Sequence, residues 1–203
     1  MLELYTWTTP NGRKPLVMLE ELGVPYEIRP VDLGAGKQHD PAYLQINPNG
    51  KIPALVDRDA VITVFESGAI LQYLAEKHGR LLAPSGQERA SALEWLMFQM
   101  SAVGPFMGQL GHFRRDKEPN AGAIQRFDAE VRRILHVLDG RLASVEYLAG
   151  QYGIADIATY PWVSTMEALG IPRADFPHLS GWLGRVGARP AVKKAMELAI
   201  PRK

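Results

Sequence analysis

The sequence contains no cysteine among its 203 residues. This absence excludes disulfide bonds, thiolate metal sites and a protein thiol that acts as a nucleophile or redox centre. Any thiol chemistry must therefore use a thiol that arrives with the substrate. The five histidines also lack the spacing of a metal site, so we expect no bound metal. They are His39, His78, His112, His136 and His178.

An excess of one charge sign is lacking as well, because 23 basic and 22 acidic residues give a formal charge of +1. No strong field therefore indicates nucleic acid or an anionic membrane as the main partner. No apolar run approaches the ~18 residues of a membrane-spanning helix. The N-terminus has neither the basic start nor the apolar run of a signal peptide. We expect a soluble, cytoplasmic protein whose partner is specified by local features.

Strand and helix patterns divide the chain into two parts. Residues 2–5 and 26–31 read as strands, and the apolar spacing between them is helical, which is typical of a crossover with parallel strands. After residue 88 the apolar periodicity is helical throughout, with one stripe over residues 93–103 that includes Met97, a break or kink at Gly104-Pro105, and a second stripe over residues 127–142. We therefore predict an α+β two-domain protein, with a mixed domain over 1–79, a linker over 80–87 and an all-helical domain over 88–203.

The passage from the first strand into the first helix, residues 5–12, contains Thr9 and Asn11. Threonine and asparagine before a helix are favoured caps. A helix N-terminus also attracts anions through its unpaired N–H groups and its dipole. Arg13 and Lys14 follow at the start of the helix, where positive charge opposes the helix dipole. An anion bound at the turn would reverse this effect, but solvated side chains are also a sufficient explanation for the two residues. A plain cap and an anion site both remain open on these residues.

Two later stretches carry further polar groups at element boundaries. Residues 47–57 form a turn that enters a strand through Ile52 and Pro53, a bond that residue statistics alone predict to be trans. Glu66 and Ser67 stand between a strand and a helix, where they serve either as caps or as ligand-binding groups.

Three motifs occur in a fixed order along the chain: Asn47-Pro48-Asn49-Gly50-Lys51-Ile52-Pro53, Phe65-Glu66-Ser67-Gly68-Ala69-Ile70 and Gly153-Ile154-Ala155-Asp156-Ile157-Ala158. Together they resemble the motifs of the cytosolic glutathione transferases, and the resemblance spans nearly the whole chain. Within that superfamily the first-helix turn, the loop at 32–38 and residues 108–113 are most similar to the nu class.

The resemblance implies a thioredoxin-like first domain, an all-helical second domain and a homodimer. It reverses the local prediction for Ile52–Pro53, since family members hold this bond cis so that the preceding backbone pairs with the cysteinyl part of glutathione. Glu66 and Ser67 then match residues that bind the γ-glutamyl end. Gln38 and Lys51 match contacts to the glycyl end, and Arg126 matches a nu-class arginine near bound glutathione. His112 and Phe113 fall where the second substrate is expected.

The resemblance also implies a mechanism in which the glutathione thiolate is the nucleophile. The thiol pKa of glutathione starts at the cysteine value of ~8.5. Lowering this pKa to neutrality requires about 2–3.5 kcal/mol. A helix N-terminus supplies ~0.3–2 kcal/mol and a hydrogen bond to a charged group ~1.5–3 kcal/mol, so the two together suffice. We assign this role to Thr9 and Asn11 as a hypothesis.

The expected reaction is reduction of small organic or mixed disulfides, with peroxidase activity and weak conjugation of electrophiles. The alternatives are a conventional conjugating glutathione transferase and a non-catalytic, glutathione-binding regulatory protein. One departure from the family is Gly153, where serine or threonine usually forms a capping box with the acid three residues later. We expect Asp156 to serve folding and the cap to be weakened rather than lost.

Overall fold

A mixed sheet organises the first part of the chain in the computed structural model, which describes residues 1–200. Within those residues four strands lie in the order β2-β1-β3-β4. β1 runs parallel to β2 and antiparallel to β3, and β3 runs antiparallel to β4. The predicted strand-helix-strand crossover is confirmed. The strands are β1 (Leu2–Thr6), β2 (Tyr26–Pro30), β3 (Ala54–Asp57) and β4 (Ile62–Phe65).

Helices make up most of the remaining ordered structure. They are α1 (Pro10–Leu22), α2 (Pro41–Leu44), α3 (Ser67–His78), α4 (Gly86–Phe98), α5 (Gly104–Arg115), α6 (Ala121–Leu142), α7 (Ile154–Val163), α8 (Pro177–Gly187) and α9 (Pro190–Glu197). α1 and α3 each follow a strand of the sheet, and α2 is a single short turn between β2 and β3. The remaining helices lie after residue 85.

α1 begins and ends where its sequence signals predict. Thr9 is extended and caps the first turn, Pro10 occupies the first helical position, and Gly23 ends the helix with φ 69°. The run from Leu16 to Leu19 is buried on all sides, because α1 packs against α3 and α9 as well as the sheet. The helix that opens the predicted site is therefore held firmly.

The described chain forms two compact units, and their limits differ from those expected. One unit comprises Met1–Leu82 together with the described residues from Arg189 onward, and the other comprises Ala83–Ala188. The sequence placed α9 in the helical domain because its local pattern is helical. In the structure α9 packs on α1, and Arg189 forms a two-bond ion pair with Glu21, at 2.7 and 2.9 Å.

A buried arginine also ties α9 to α1. Arg13 Nη1 donates to the carbonyl oxygens of Ala195 and Leu198, both at 2.7 Å. These carbonyls lie at the C-terminal end of α9, where a cation offsets the helix dipole. The interpretation of Arg13 as a solvated helix charge is therefore wrong, since the residue is only 8% exposed.

The second unit is all-helical, as predicted. α4 passes through one π-helical turn, Gln99–Val103, into α5, whose second residue is Pro105, so the expected break appears as this wider turn. α6 buries the predicted stripe that includes Val131, Ile134 and Leu138. No helix in the described part of the chain is long and apolar enough to cross a membrane.

Asp156 links three segments of the second unit through hydrogen bonds. Its Oδ2 accepts from the Gly153 nitrogen at 3.2 Å, which is the acidic half of a capping box. Its Oδ1 accepts from the Leu148 nitrogen at 3.1 Å and from Trp182 Nε1 at 2.8 Å. Burial raises the pKa of this carboxyl to about 6, against the lowering effect of these N–H bonds. Asp156 holds three segments together, as the predicted folding role requires.

Candidate active site

Strand register brings three of the predicted segments to one edge of the sheet in the first unit. Tyr5 near the end of β1 pairs with Ala54 at the start of β3, and Ala54 pairs with Phe65 at the end of β4. The same edge of the sheet, formed by these strand ends, therefore carries the α1 cap, the Ile52–Pro53 segment and the Glu66–Ser67 pair. The end of β2 lies there too, because the Val31 nitrogen donates to the Thr6 carbonyl at 3.0 Å.

The turn into α1 is tightly built around Gly12. Thr9 Oγ1 accepts from the Gly12 nitrogen at 3.1 Å, and Thr6 Oγ1 donates to the Gly12 carbonyl at 3.0 Å. A Cβ on Gly12 would lie 2.1 Å from the Trp7 carbonyl oxygen, so no larger residue fits. Asn11 stands in the first helical turn, half-buried, next to the cap. The turn thus fixes the Thr9 hydroxyl and places an amide-bearing residue beside it at a helix N-terminus.

The backbone before Pro53 is held by two side chains that the sequence did not identify. Tyr43 Oη donates to the Lys51 carbonyl at 2.5 Å, and Asn47 Nδ2 donates to the same oxygen at 2.7 Å. Asn47 Oδ1 also accepts from the Asn49 nitrogen at 3.0 Å, which closes the turn. These bonds fix the peptide that leads into Ile52. An asparagine two residues before another asparagine in a Pro-Asn-Gly turn is the signal that could have indicated this support.

The Ile52–Pro53 bond is cis. The prediction from residue statistics is therefore wrong, and the one from the family resemblance is right. Pro53 is buried while Ile52 is only partly covered. Ile52 therefore lies partly exposed two residues before β3 begins.

Glu66 and Ser67 open α3 in an unusual conformation. Glu66 has φ 70° and ψ 119°, a region that side-chain-bearing residues rarely adopt, and it is exposed. Ser67 is the first helical residue and is buried. Backbone strain of this kind is concentrated at functional sites.

A buried cation lies behind Ser67. Lys14 Nζ donates to Ser67 Oγ at 3.2 Å, and Lys14 is only 1% exposed. Desolvation lowers the pKa of this amine to about 7, while the negative charge of Glu66 acts in the opposite direction. The reading of Lys14 as a solvated charge is therefore wrong. Its position three and four residues before the buried Val17 and Met18 is the periodic signal that could have placed it inward.

The remaining predicted residues lie in three places. Gln38 is in a short 3-10 turn, Lys37–His39, and its buried Oε1 accepts no hydrogen bond from residues 1–200. Lys51 has an exposed side chain. Arg126 belongs to the second unit, where it is exposed on α6. No group of three or more acidic or histidine side chains suited to a metal ion occurs in residues 1–200.

Aromatic side chains on α5 and α6 form a cluster in the second unit. The rings of Phe113 and Phe127 are stacked 5.4 Å apart, and His112 and Phe106 contact this pair at 5.2 and 6.1 Å between ring centroids. His112 and Phe113, which the sequence assigned to a second-substrate region, therefore belong to one aromatic surface. Tyr5 in contrast packs against the buried Tyr43 and Val31 in the first unit.

The family models match both parts of this chain. Residues 1–76 match the glutathione S-transferase N-terminal domain and residues 98–190 match the glutathione S-transferase C-terminal domain. The chain therefore belongs to the glutathione S-transferase family, which confirms the resemblance at the level of the superfamily and the predicted fold. It is 42% identical over 203 residues to the disulfide-bond oxidoreductase YfcG of Escherichia coli, covering 97% of this chain and 94% of that protein.

Two solved structures are similar throughout. A glutathione transferase family member from Pseudomonas fluorescens with two glutathione molecules bound is 40% identical, with a TM-score of 0.91, over 97% of this chain and 92% of that one. A glutathione transferase from Pseudomonas putida with one glutathione disulfide bound per subunit is 37% identical, with a TM-score of 0.90, over 97% and 91%.

Proposed function

We propose that this protein is a glutathione-dependent reductase of small disulfides, of the nu-class type. The observation that carries the proposal is the convergence of a capped helix N-terminus, the Ile52 backbone and Ser67 at one sheet edge, in a chain that has no cysteine of its own. The similarity to YfcG, named a disulfide-bond oxidoreductase, supports the reaction type. The two neighbours that hold glutathione or its disulfide support the substrate.

In the proposed reaction, Thr9 and Asn11 stabilise the glutathione thiolate at the start of α1. The thiolate attacks one sulfur of a disulfide RSSR, forming a mixed disulfide and releasing RS⁻, which takes up a proton from water. A second glutathione thiolate attacks the mixed disulfide at its glutathione sulfur and releases the other RS⁻. Two glutathione molecules are oxidised to glutathione disulfide and one RSSR is reduced to two thiols. The protein contributes binding and thiolate stabilisation and no sulfur.

The other predicted contacts complete the glutathione site in this proposal. Glu66 and Ser67 hold the γ-glutamyl end, and the Ile52 backbone before Pro53 pairs with the cysteinyl part. Gln38 and Lys51 hold the glycyl end, where the side-chain amide N–H of Gln38 and the ammonium of Lys51 are the groups that can donate to its carboxylate. Arg126 is assigned to glutathione on the resemblance alone.

A comparison of two substrates tests the reaction. Glutathione turnover is measured with hydroxyethyl disulfide and with a chlorinated aromatic electrophile, and we expect the disulfide to be the better substrate. Faster turnover of the electrophile would assign the protein to the conjugating alternative. Tight binding of glutathione without turnover of either would assign it to the binding alternative. Turnover of organic peroxides in the same assay tests the expected peroxidase activity.

We also propose that the protein is a homodimer. The β4 edge of the sheet exposes apolar residues, with Val61 91% exposed and Ile62 and Phe65 each 39% exposed. An unpaired apolar edge of this kind is suited to association with another chain. Light scattering should give twice the chain mass, and replacing Val61 and Ile62 together with glutamate should reduce it to that of one chain. A wild-type protein with the mass of a single chain would contradict the proposal.

A further inference from the structure

Lys14 occupies a position in α1 that is costly for a lysine. The amine is taken out of water between α1 and the start of α3, where it donates to the neutral hydroxyl of Ser67. Burial disfavours the charged form of an amine. The lowered pKa of the amine, about 7, agrees with this cost. A neutral apolar side chain of similar length would fill this place at lower cost to the fold.

The hydroxyl that Lys14 contacts stands where an anion is favoured. Ser67 is the first residue of the twelve-residue helix α3, whose N-terminus carries partial positive charge. An O–H···O bond spans about 2.7 Å. A carboxylate bound at Ser67 Oγ therefore lies no farther than about 6 Å from Lys14 Nζ, within the range where an opposite charge stabilises an ammonium. The buried amine and the bound anion would stabilise each other.

We infer that Lys14 is a positioning residue for the substrate carboxylate: it aims the Ser67 hydroxyl and supplies the positive charge behind it, so that the site selects ligands with a charged α-carboxylate at their γ-glutamyl end. This inference rests on the proposed function, because it assumes that glutathione places this end at Ser67. It adds a residue from the α1 interior to the binding site. It also gives a reason for a lysine at this buried helical position.

The test compares wild type, Lys14→Met and Lys194→Met. The second variant removes one positive charge from an exposed side chain on α9 and serves as the matched control. Each protein is titrated with glutathione and with a glutathione analogue whose γ-glutamyl α-carboxylate is an uncharged amide. We expect Lys14→Met to weaken glutathione binding at least about tenfold, to change the binding of the amide analogue much less, and to leave the control unaffected.

Two further measurements separate this role from a structural one. Because Lys14→Met removes a desolvated charge, its melting temperature should equal or exceed that of wild type. In the disulfide assay its KM for glutathione should rise while kcat at saturating glutathione stays constant, as expected for lost ground-state binding.

The outcomes that overturn the inference are distinct. If Lys14→Met loses the same affinity for glutathione and for its amide analogue, or does not fold, the amine has only a structural role. If its affinity for glutathione is unchanged, the amine has no role in binding. Failure of wild type to bind glutathione at all would instead overturn the proposed function. Binding by wild type with carboxylate-selective loss in Lys14→Met supports both.

Discussion

Thr9 Oγ1 lies 3.1 Å from the Gly12 nitrogen and accepts its hydrogen bond. This bond uses the oxygen as an acceptor and leaves the hydroxyl proton available for donation, since a hydroxyl can accept and donate at once. Helix capping and thiolate stabilisation, which the sequence presents as alternatives, are therefore compatible in one side chain. The same bond that fixes the helix start fixes the position of the donor.

Replacing Thr9 separates these two contributions. Thr9→Val should lower the free energy of unfolding by about 1–2 kcal/mol through loss of the cap and should raise the pKa of bound glutathione thiol. Thr9→Ser keeps the hydroxyl and is expected to stay close to wild type in both. Chemical denaturation gives the first quantity and ultraviolet titration of the thiolate gives the second. An unchanged thiol pKa in Thr9→Val with Asn11→Ala would remove both residues from the catalytic role.

Gly12 is predicted to be the least replaceable residue of this turn. An added methyl group would overlap the Trp7 carbonyl oxygen and Thr6 Oγ1, so Gly12→Ala must move the backbone and should cost about 2–3 kcal/mol or more. Gly140→Ala is the matched control, because Gly140 lies inside α6 with open space around its Cβ position. That variant should gain up to about 1 kcal/mol. Similar denaturation midpoints for the two variants would contradict this account of the turn.

Glu66 is predicted to lower the stability of the fold through its backbone conformation and to strengthen glutathione binding through its carboxylate. Its φ of 70° is relieved by glycine and retained by alanine, so Glu66→Gly should be about 1 kcal/mol more stable than Glu66→Ala. Both variants lack the carboxylate and should bind glutathione equally poorly if Glu66 contacts the γ-glutamyl end. Thermal unfolding and calorimetric titration provide the two comparisons. An alanine variant as stable as the glycine variant would show that this backbone conformation carries no strain.

Asp156 should make stability depend on pH. Since burial raises its folded-state pKa to about 6, above the usual aspartate value, the folded protein binds the extra proton. Its contribution is therefore complete below about pH 4 and declines as pH rises through about 6. The stability difference between wild type and Asp156→Asn should shrink over this interval and stay constant above it. Denaturation at a series of pH values, with the exposed Asp116→Asn as control, measures the slope, and a difference that grows with pH would contradict the assignment.

Features with local causes could be predicted from the sequence. The strand-helix-strand crossover, the Thr9 cap and the acidic half-box of Asp156 each depend on residues within a few positions of one another. Strand register then follows from alternation and turn length. The candidate residues of the site come from the family resemblance, which depends on three such motifs occurring in one order.

Features that depend on distant partners could not be predicted. Arg13 and Lys14 looked like solvated charges because their hydrogen-bond acceptors lie 182 and 53 residues away in Ala195 and Ser67. The positive φ of Glu66 gives no sequence signal, since the residue is not glycine. Periodicity also failed for Met97, which is 52% exposed although it fits the apolar stripe.

The return of α9 to α1 has a consequence for biosynthesis. The first unit is discontinuous in sequence, because its sheet and α1 are made early and α9, which Arg13 holds, is made only after the whole second unit. Chains generally fold in the order of their synthesis on the ribosome. The α9-binding side of α1 therefore stays uncovered after the sheet has been synthesised, while more than half of the chain is still to be translated. The first turn of α1, which contains Arg13, gains its contacts with α9 only when that delayed helix docks.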